Sequence, residues 1–476
     1  MINRGTAIVS ILIIAVIDII IALFVDFNQW DENIFPILII MASFCFVLPF
    51  LTNINSRLNH YYFRPFFLFL IGYFIVFFQR YYDLEFGLIN EYHPVFLKPG
   101  IINKSLCYSI LGLSSYLLGY YITPTIPTVN KSHNKNRKIP IRGMRIAFYF
   151  ASVLYIIFTV PELLNGTRSQ EQLEQMAGSM SNFSMTLYIS VFFSYLAICV
   201  YNCKLGQKKN YKDFYLTFTP LGVISVFIFI IFLLLGGSRS RVIIVIFALT
   251  FALFYIKETK IKMLYIIPAV ILGALLINFI GMTRSFGSNA SINSRLEYYS
   301  NMKNTQGDSF MPLTKELAGS LNTFTTAVEY VPTQHDYLYA TFHLKNLLTI
   351  IPFSSRFISF NNSHWKYQSS DYFITYIKQG ENYTYGNGTS LNGDLYLSYG
   401  VIGIIIGLFM IGYLFHNIET HTILNIKNSV YYTLLLLIFV GYSIPYSRFG
   451  FLMPLQIIAF SSLFIYLYLK FLGLRI

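Results

Sequence analysis

Four arginines lie beside apolar segments, and guanidinium groups suit the binding of a phosphorylated ligand. Arg239 and Arg241 lie in the turn "GGSRSR", Arg284 lies in "GMTRSFG", and Arg448 lies in "PYSRFGF". A guanidinium presents a planar fork of donors that matches phosphate oxygens, which a lysine cannot reproduce. If Ser238 is the N-cap of the helix that follows it, the free N–H groups of that helix end also favour negative charge. The four arginines therefore predict an anion site, provided that their side chains meet.

The same arginines also have an ordinary structural interpretation. An arginine at the end of a membrane helix commonly extends its head group to lipid headgroups or pairs with a nearby acid. In a regular helix Arg239 and Arg241 point to nearly opposite sides, so they converge only if Arg239 is still in the turn. Gly236 and Gly237 allow a ligand to approach the backbone closely. We favour the anion site because two arginines lie beside these paired glycines.

Histidines and one aspartate are the candidates for proton transfer. His335, His343 and His364 fall in one long polar segment, and Asp394 ends it. Histidine can act as a general base near neutral pH. His364, in "NNSHWKYQ", has polar and aromatic neighbours suited to sugar, whereas His343, in "ATFHLKNLL", fits a packing role as well. Each histidine can instead be a structural hydrogen-bonding residue, and Asp394 can equally cap a helix N-terminus.

The composition indicates that membrane helices position these residues. The chain is 55% hydrophobic and only 12% charged, against about 25% charged in soluble globular proteins. With about 20 apolar residues for each crossing, we predict an all-α polytopic membrane protein with about twelve spans. The predicted spans are 6–25, 34–52, 64–80, 103–124, 144–161, 185–202, 215–235, 240–256, 264–281, 394–416, 428–445 and 452–473. Asp18, within the first span, is expected to be buried and hydrogen-bonded, far from a site at the membrane rim.

The distribution of lysine and arginine predicts the orientation of these spans. The strongly basic loops "KSHNKNRKIPIRGMR" and "CKLGQKKNYKD" fall on one side, which the positive-inside rule makes cytoplasmic. Both termini are then cytoplasmic, and all four arginines lie at the outer face. Arginines in short outer turns are unusual, and a bound anion would explain them. The net charge of +13 thus records membrane orientation, and we expect no nucleic-acid partner.

The chain divides into a membrane part and one long excursion. We predict membrane helices in 1–281, a large external loop in 282–393, and the last three helices in 394–476. Within the loop, apolar residues repeat at helical spacing and predict an amphipathic helix that caps the bundle or lies along its rim; they are Leu313, Leu317, Leu321, Phe324 and Val328. The loop is rich in Tyr, Phe, Asn and Ser, which suits a polyhydroxylated ligand or a position at the lipid interface.

Two stretches of the sequence resemble a known family. The segment "NGTSLNGDLYLSYGVIGIIIGLFMIGYLF", Asn387 to Phe415, runs from a polar cluster into a glycine-spaced span directly after the long loop. Together with "GGSRSRVIIVIFAL" before that loop, it resembles the O-antigen polymerases, the Wzy-type oligosaccharide repeat unit polymerases. The resemblance covers the whole layout, although its local motifs are short.

The resemblance implies a glycosyltransferase reaction at the outer face of the bacterial cytoplasmic membrane. The growing chain would move from undecaprenyl pyrophosphate to the non-reducing end of a fresh lipid-linked repeat unit, with no metal, cofactor or nucleotide sugar. It implies that Arg239, Arg241, Arg284 and Arg448 bind the pyrophosphate, and that a loop histidine (His364 or His343) or Asp394 acts near the acceptor hydroxyl. A chain-length regulator, a flippase and membrane lipids are the implied partners. The product would be an O-antigen or a capsule.

Two other functions fit parts of the sequence. An O-antigen ligase shares the layout and differs in its acceptor, which these residues do not encode. A transporter of polysaccharide or lipid-linked sugars would be expected to show repeated halves and ionisable groups at the bilayer midplane. The sequence has no duplicated halves and few ionisable groups at that depth, so we rank the transporter below the ligase.

Overall fold

The computed structural model describes residues 2–25, 30–52, 63–123, 138–161, 180–206, 211–235, 238–257, 309–348, 350–351, 362–383, 386–423 and 429–474. These parts of the chain form helices and no β-strand, so the predicted all-α fold is confirmed for them. The helices of the first half are α1 (Arg4–Phe24), α2 (Ile34–Leu51), α3 (Pro65–Phe77), α4 (Gln79–Glu85), α5 (Gly100–Ile122), α6 (Arg142–Phe158), α7 (Met180–Leu205), α8 (Tyr211–Phe218), α9 (Pro220–Leu235) and α10 (Arg239–Lys257). The helices of the second half are α11 (Lys315–Ala318), α12 (Leu321–Tyr330), α13 (Thr341–Leu348), α14 (Ser370–Gln379), α15 (Leu391–Ile423), α16 (Val430–Tyr446) and α17 (Met453–Phe471).

Helices occupy every predicted span except the ninth, 264–281, which lies outside the described residues. Within the described residues, 5 helices are long and apolar enough to cross a membrane, or up to 7 if each bent helix pair is one span. Two further helices, Ser240–Ile256 and Val430–Tyr446, are apolar but shorter. A multi-pass membrane protein is therefore well supported, while the number twelve and the external position of the long loop stay predictions.

Two predicted spans are bent, and each bend has a local cause. α8 and α9 meet at 76° around Thr219, whose φ of 69° is left-handed. Pro220 follows it, and a residue before proline is disfavoured in the helical region. α3 and α4 meet at 50°, where the sequence changes from the apolar end of α3 to the polar start of α4, "QRYYD".

Glycines bring the central helices into close contact. A Cβ on Gly119 of α5 would lie 2.1 Å from the Phe409 backbone oxygen of α15, and a Cβ on Gly412 would lie 2.0 Å from the Tyr116 oxygen. The two helices therefore cross with their backbones touching, a geometry that small residues make possible in membranes. Any larger residue at either position would push α5 and α15 apart.

Polar groups of α4 hold the described start of the loop. Gln79 Nε2 donates to Ser309 Oγ (3.0 Å), and Ser309 Oγ donates to Asp83 Oδ1 (2.8 Å). Arg80 donates to Asp83 Oδ2 (3.1 Å) and to the Lys315 carbonyl (3.1 Å). Gln79, Arg80 and Asp83 are all buried. Because buried polar groups are costly without partners, this network fixes the segment from Ser309 to Lys315 on α4.

The predicted amphipathic helix is interrupted. A 3-10 turn, Pro312–Thr314, precedes α11, and α12 starts only after Gly319 and Ser320. Three of the apolar residues that we placed on one helix, Leu321, Phe324 and Val328, are fully buried on α12, which packs against α5 and α15. α12 thus packs on the helix bundle, while Leu317 lies on the separate α11, and the choice between a cap and a rim position stays a prediction.

A closed charged cluster lies at the far end of α15 from Asp394. Arg64, just before α3, donates to Glu419 Oε2 (2.9 Å) and to the Tyr120 hydroxyl (2.9 Å). Glu419 also accepts from the Phe66 N–H (2.8 Å) and from Tyr120 (2.7 Å). Arg64 and Glu419 are both 0% exposed, so this ion pair joins α3, α5 and α15 without access to solvent.

Asp18 is buried on α1, as we expected, but within the described residues neither of its carboxylate oxygens has a hydrogen-bond partner, so the expected hydrogen-bonded role is not observed. The Cys107 thiol of α5 donates to its backbone carbonyl at 3.5 Å, and α1 packs against α5. Asp18 therefore lies in a helix contact, away from the cluster of predicted site residues described next.

Candidate functional site

The first turn of α10 carries Arg241, and α16 fixes its position. Ser238 directly precedes α10, and its hydroxyl lies 3.5 Å from Arg241 Nη1. One turn further along, a Cβ on Gly441 of α16 would lie 2.6 Å from the Ile244 backbone oxygen. This close approach is possible because glycine has no side chain, and it holds the start of α10 against α16.

Arg241 and Arg448 line the same cavity. It has a volume of about 360 Å³, and α7, α10, α16 and α17 contribute to its walls. Arg448 comes from the turn between α16 and α17, and both arginines are half-buried. The cavity thus collects two of the four arginines that we predicted would share a ligand, although they are far apart in the sequence.

The lining of the cavity is mixed in charge. Arg241 and Arg448 contribute positive charge, and Glu316 of α11 contributes a negative charge beside Leu317. Tyr442 of α16 lines the same cavity. Fixed donors and charges of this kind can bind an anion and can stabilise negative charge that develops during a reaction.

His343 and Asp394, which we selected separately, form a hydrogen-bonded pair. His343 Nε2 lies 3.1 Å from Asp394 Oδ2, and His343 Nδ1 lies 3.3 Å from the Tyr399 hydroxyl. His343 on α13 is 8% exposed, and Asp394 in the first turn of α15 is 0% exposed. A carboxylate that accepts from one ring nitrogen leaves the other nitrogen able to accept a proton. The pair therefore has the arrangement of a general base and its orienting acid.

The turn between α16 and α17 connects this pair with the cavity. The Phe451 N–H donates to Asp394 Oδ2 at 2.8 Å, and the Leu391 N–H donates to the Ser447 carbonyl at 3.0 Å. Arg448, three residues before Phe451, lines the cavity. One short turn thus contacts the His343–Asp394 pair on one side and the anion cavity on the other.

Of the remaining predicted site residues, the structure describes only the side chain of His335. His335 Nδ1 lies 2.7 Å from the Asp336 carbonyl and its Nε2 lies 3.2 Å from the Tyr367 hydroxyl, which fits the structural alternative. Arg284, the Arg239 side chain and the His364 side chain lie outside the described residues, although Arg239 begins α10 and His364 belongs to a 3-10 turn, Asn362–Tyr367. Within the described residues, no group of three or more His, Cys, Asp or Glu side chains could hold a metal ion.

Sequence reasoning missed three polar residues of the cavity and its surroundings. Glu316 lies in "PLTKEL", on the predicted amphipathic helix, where the helical spacing assigns a role only to the apolar positions. Tyr442 lies six residues before Arg448, near the end of α16 that leads into the same turn, and this proximity in the sequence is a usable signal. Tyr399 follows Asp394 by five residues in a segment that otherwise indicated a membrane span.

Comparison with known proteins gives one match. A family model described as O-antigen polysaccharide polymerase Wzy matches residues 6–474, nearly the whole chain. No curated protein and no solved structure is significantly similar to the chain.

Proposed function

The chain belongs to the O-antigen polysaccharide polymerase Wzy family, and on that premise we propose how its residues join oligosaccharide repeat units into a polysaccharide. The match confirms the resemblance that the two sequence motifs carried. In the proposed reaction, the growing chain is transferred from undecaprenyl pyrophosphate to the non-reducing end of a new lipid-linked repeat unit. The new glycosidic bond forms as the bond between the anomeric carbon and the pyrophosphate breaks.

The shared cavity of Arg241 and Arg448 is the observation that carries this proposal. Departure of a pyrophosphate builds negative charge on its oxygens, and guanidinium groups fixed nearby lower the barrier. The effect is larger in poorly hydrated surroundings than in water, because the effective dielectric constant is lower. We assign Arg239 and Arg284 to the same pyrophosphate on the strength of their sequence positions.

The base of the reaction is, in this proposal, His343 with Asp394. Asp394 orients the imidazole and stabilises the imidazolium that forms when the acceptor hydroxyl loses its proton. His364 stays the alternative base. The pairing of His343 with a buried carboxylate at 3.1 Å supports His343, because a lone histidine has no such orienting partner.

The setting of the reaction follows from the charge distribution of the loops. The positive-inside rule supports a cytoplasmic location of both termini and an active site on the outer face of the bacterial inner membrane. A flippase would then supply the lipid-linked units, and a chain-length regulator would limit the polymer. The product is a surface polysaccharide, an O-antigen or a capsule.

Reconstitution tests the proposed function directly. The full-length protein in proteoliposomes, given undecaprenyl-pyrophosphate-linked repeat units, should form a ladder of longer chains and release one carrier for each bond, in the presence of EDTA. Asp394→Asn should retain the membrane level of the protein and lose most of this activity, about 10²-fold or more. If chain transfer occurs only when a lipid A core acceptor is added, the protein is a ligase and the proposal is wrong.

A further inference from the structure

The His343–Asp394 pair continues to a third residue that reaches the surface. Asp394 is 0% exposed, His343 is 8% exposed, and Tyr399 is 40% exposed. The Tyr399 hydroxyl lies 3.3 Å from His343 Nδ1, and the two rings lie 5.4 Å apart. The three side chains therefore form a line of hydrogen bonds that runs from a fully buried carboxylate to an accessible phenol.

Neither ring nitrogen of His343 is available for direct contact with a sugar. Nε2 faces Asp394, and Nδ1 faces Tyr399, while the ring packs against Phe451 at 6.0 Å. With Asp394 ionised, the Nε2–H donates to the carboxylate, and Nδ1 accepts from the Tyr399 O–H. A sugar hydroxyl that approaches from the surface then meets the oxygen of Tyr399 before it can reach the imidazole.

The backbone holds Tyr399 at a break in α15. Gly400 has a φ of 65° inside the helix, a conformation that favours glycine. The Tyr337 ring lies 3.1 Å from the position that a Cβ on Gly400 would take. The break therefore ends the first helical segment of α15 at Tyr399, five residues beyond Asp394. His343 on α13 contacts both Tyr399 and Asp394.

We propose that Tyr399 is a catalytic residue that contacts the acceptor sugar and relays its proton to His343. The acceptor O–H bond breaks and its proton passes to the Tyr399 oxygen, while the original Tyr399 proton passes to His343 Nδ1. The freed electron pair of the acceptor oxygen forms the bond to the anomeric carbon, and the pyrophosphate leaves with the electron pair of the broken bond. Asp394 stabilises the resulting imidazolium, which later returns its proton to water. This inference rests on the proposed function.

Tyr399→Phe, measured in the reconstituted full-length protein with lipid-linked repeat units, tests the relay. We expect the turnover rate to fall by about 10²-fold or more with little change in KM, as in His343→Ala. Tyr413→Phe is the matched control, because Tyr413 lies on the same helix, is 50% exposed, and lies outside the site. Tyr399→Phe at wild-type turnover with an inactive His343→Ala would overturn the relay and leave the proposed function intact. Full activity of both variants would overturn the relay and the assignment of His343 as the base, while no polymer from the unaltered protein would overturn the proposed function and the relay with it.

A proton inventory separates a relay from a purely positional role of Tyr399. When the bond-forming step limits the rate, a two-proton relay makes the rate a curved function of the deuterium fraction in H₂O–D₂O mixtures. A single transfer directly to His343 makes the same plot linear. We expect a curved plot for the unaltered protein and for Tyr413→Phe, and a linear one for the residual activity of Tyr399→Phe. A linear plot for the unaltered protein contradicts the relay.

Discussion

The two ends of α15 use arginine in opposite ways. Near Glu419, Arg64 is 0% exposed and its partners are a carboxylate and a phenol of the same protein. Near Asp394, Arg241 and Arg448 are half-buried and line a cavity of about 360 Å³. Arg241 and Arg448 line a space that a ligand could enter, whereas Arg64 is enclosed by the protein, so only Arg241 and Arg448 suit the proposed anion site.

The closed end holds three helices together, and the open end is the one to which we propose a chemical role. A buried ion pair contributes little net stability. Removal of one partner is nevertheless strongly destabilising, because the other charge stays buried without compensation. A cation in a cavity can instead exchange solvent for a ligand. Substitutions should therefore affect folding at one end and catalysis at the other, and the following experiments test that separation.

The largest expected effect is on stability, from Arg64→Ala. Removal of Arg64 leaves Glu419 buried without its counter-charge, and the free energy of unfolding should fall by about 3–5 kcal/mol. Thermal unfolding of the purified protein in detergent measures this loss. The double variant Arg64→Met with Glu419→Leu should recover most of it, because apolar residues of similar volume replace the pair. A double variant as unstable as the single one would contradict this interpretation.

The next effect is on activity, from Arg241→Ala. Loss of one fixed donor to a developing anion should lower the rate of polymerisation by about 10²–10³-fold, with unchanged thermal stability. Arg142→Ala is the control, since Arg142 is an exposed arginine at the start of α6. If Arg241→Ala unfolds the protein as Arg64→Ala does, the contrast between the two ends disappears.

A smaller effect is expected from the contact that positions Arg241. In Gly441→Ala, the new methyl group would lie 2.6 Å from the Ile244 backbone, and such overpacking costs about 1–3 kcal/mol. Because α10 must move away from α16, the polymerisation rate should fall as well. Gly222→Ala in α9 is the control, since its nearest neighbour is the Phe218 side chain at 3.3 Å. Equal activity of both variants would show that the exact position of α10 is unimportant.

The sequence predicted the helices well because their signal is local. Apolar runs of sufficient length located the described spans, and Pro220 and the polar start of α4 lie where two of them bend. The break at Gly319 and Ser320 was not predicted, because the apolar period continues through it. The spacing of Leu317 and Leu321 fits one continuous helix, and it is unchanged when the helix is interrupted between them.

The site was only partly predictable, because its contacts join distant parts of the chain. The residue types indicated which chemistry was possible at Arg241, Arg448, His343 and Asp394. No periodicity in the sequence predicts that a residue of α10 lies beside the turn after α16. The sequence neighbours of His364 suit a sugar better than those of His343, while the carboxylate partner of His343 lies 51 residues away. The Arg64–Glu419 pair, 355 residues apart, gave no local signal at all.

The glycine crossing of α5 and α15 also fixes the position of Asp394 along the helix bundle. Gly119 and Gly412 bring backbone against backbone, so the two helices cannot slide past each other without a clash. Asp394 is therefore held at a fixed height above that crossing, whatever the thickness of the surrounding lipid. A thicker or thinner bilayer can tilt the whole bundle, but the distance from the crossing to Asp394 is a property of the protein alone.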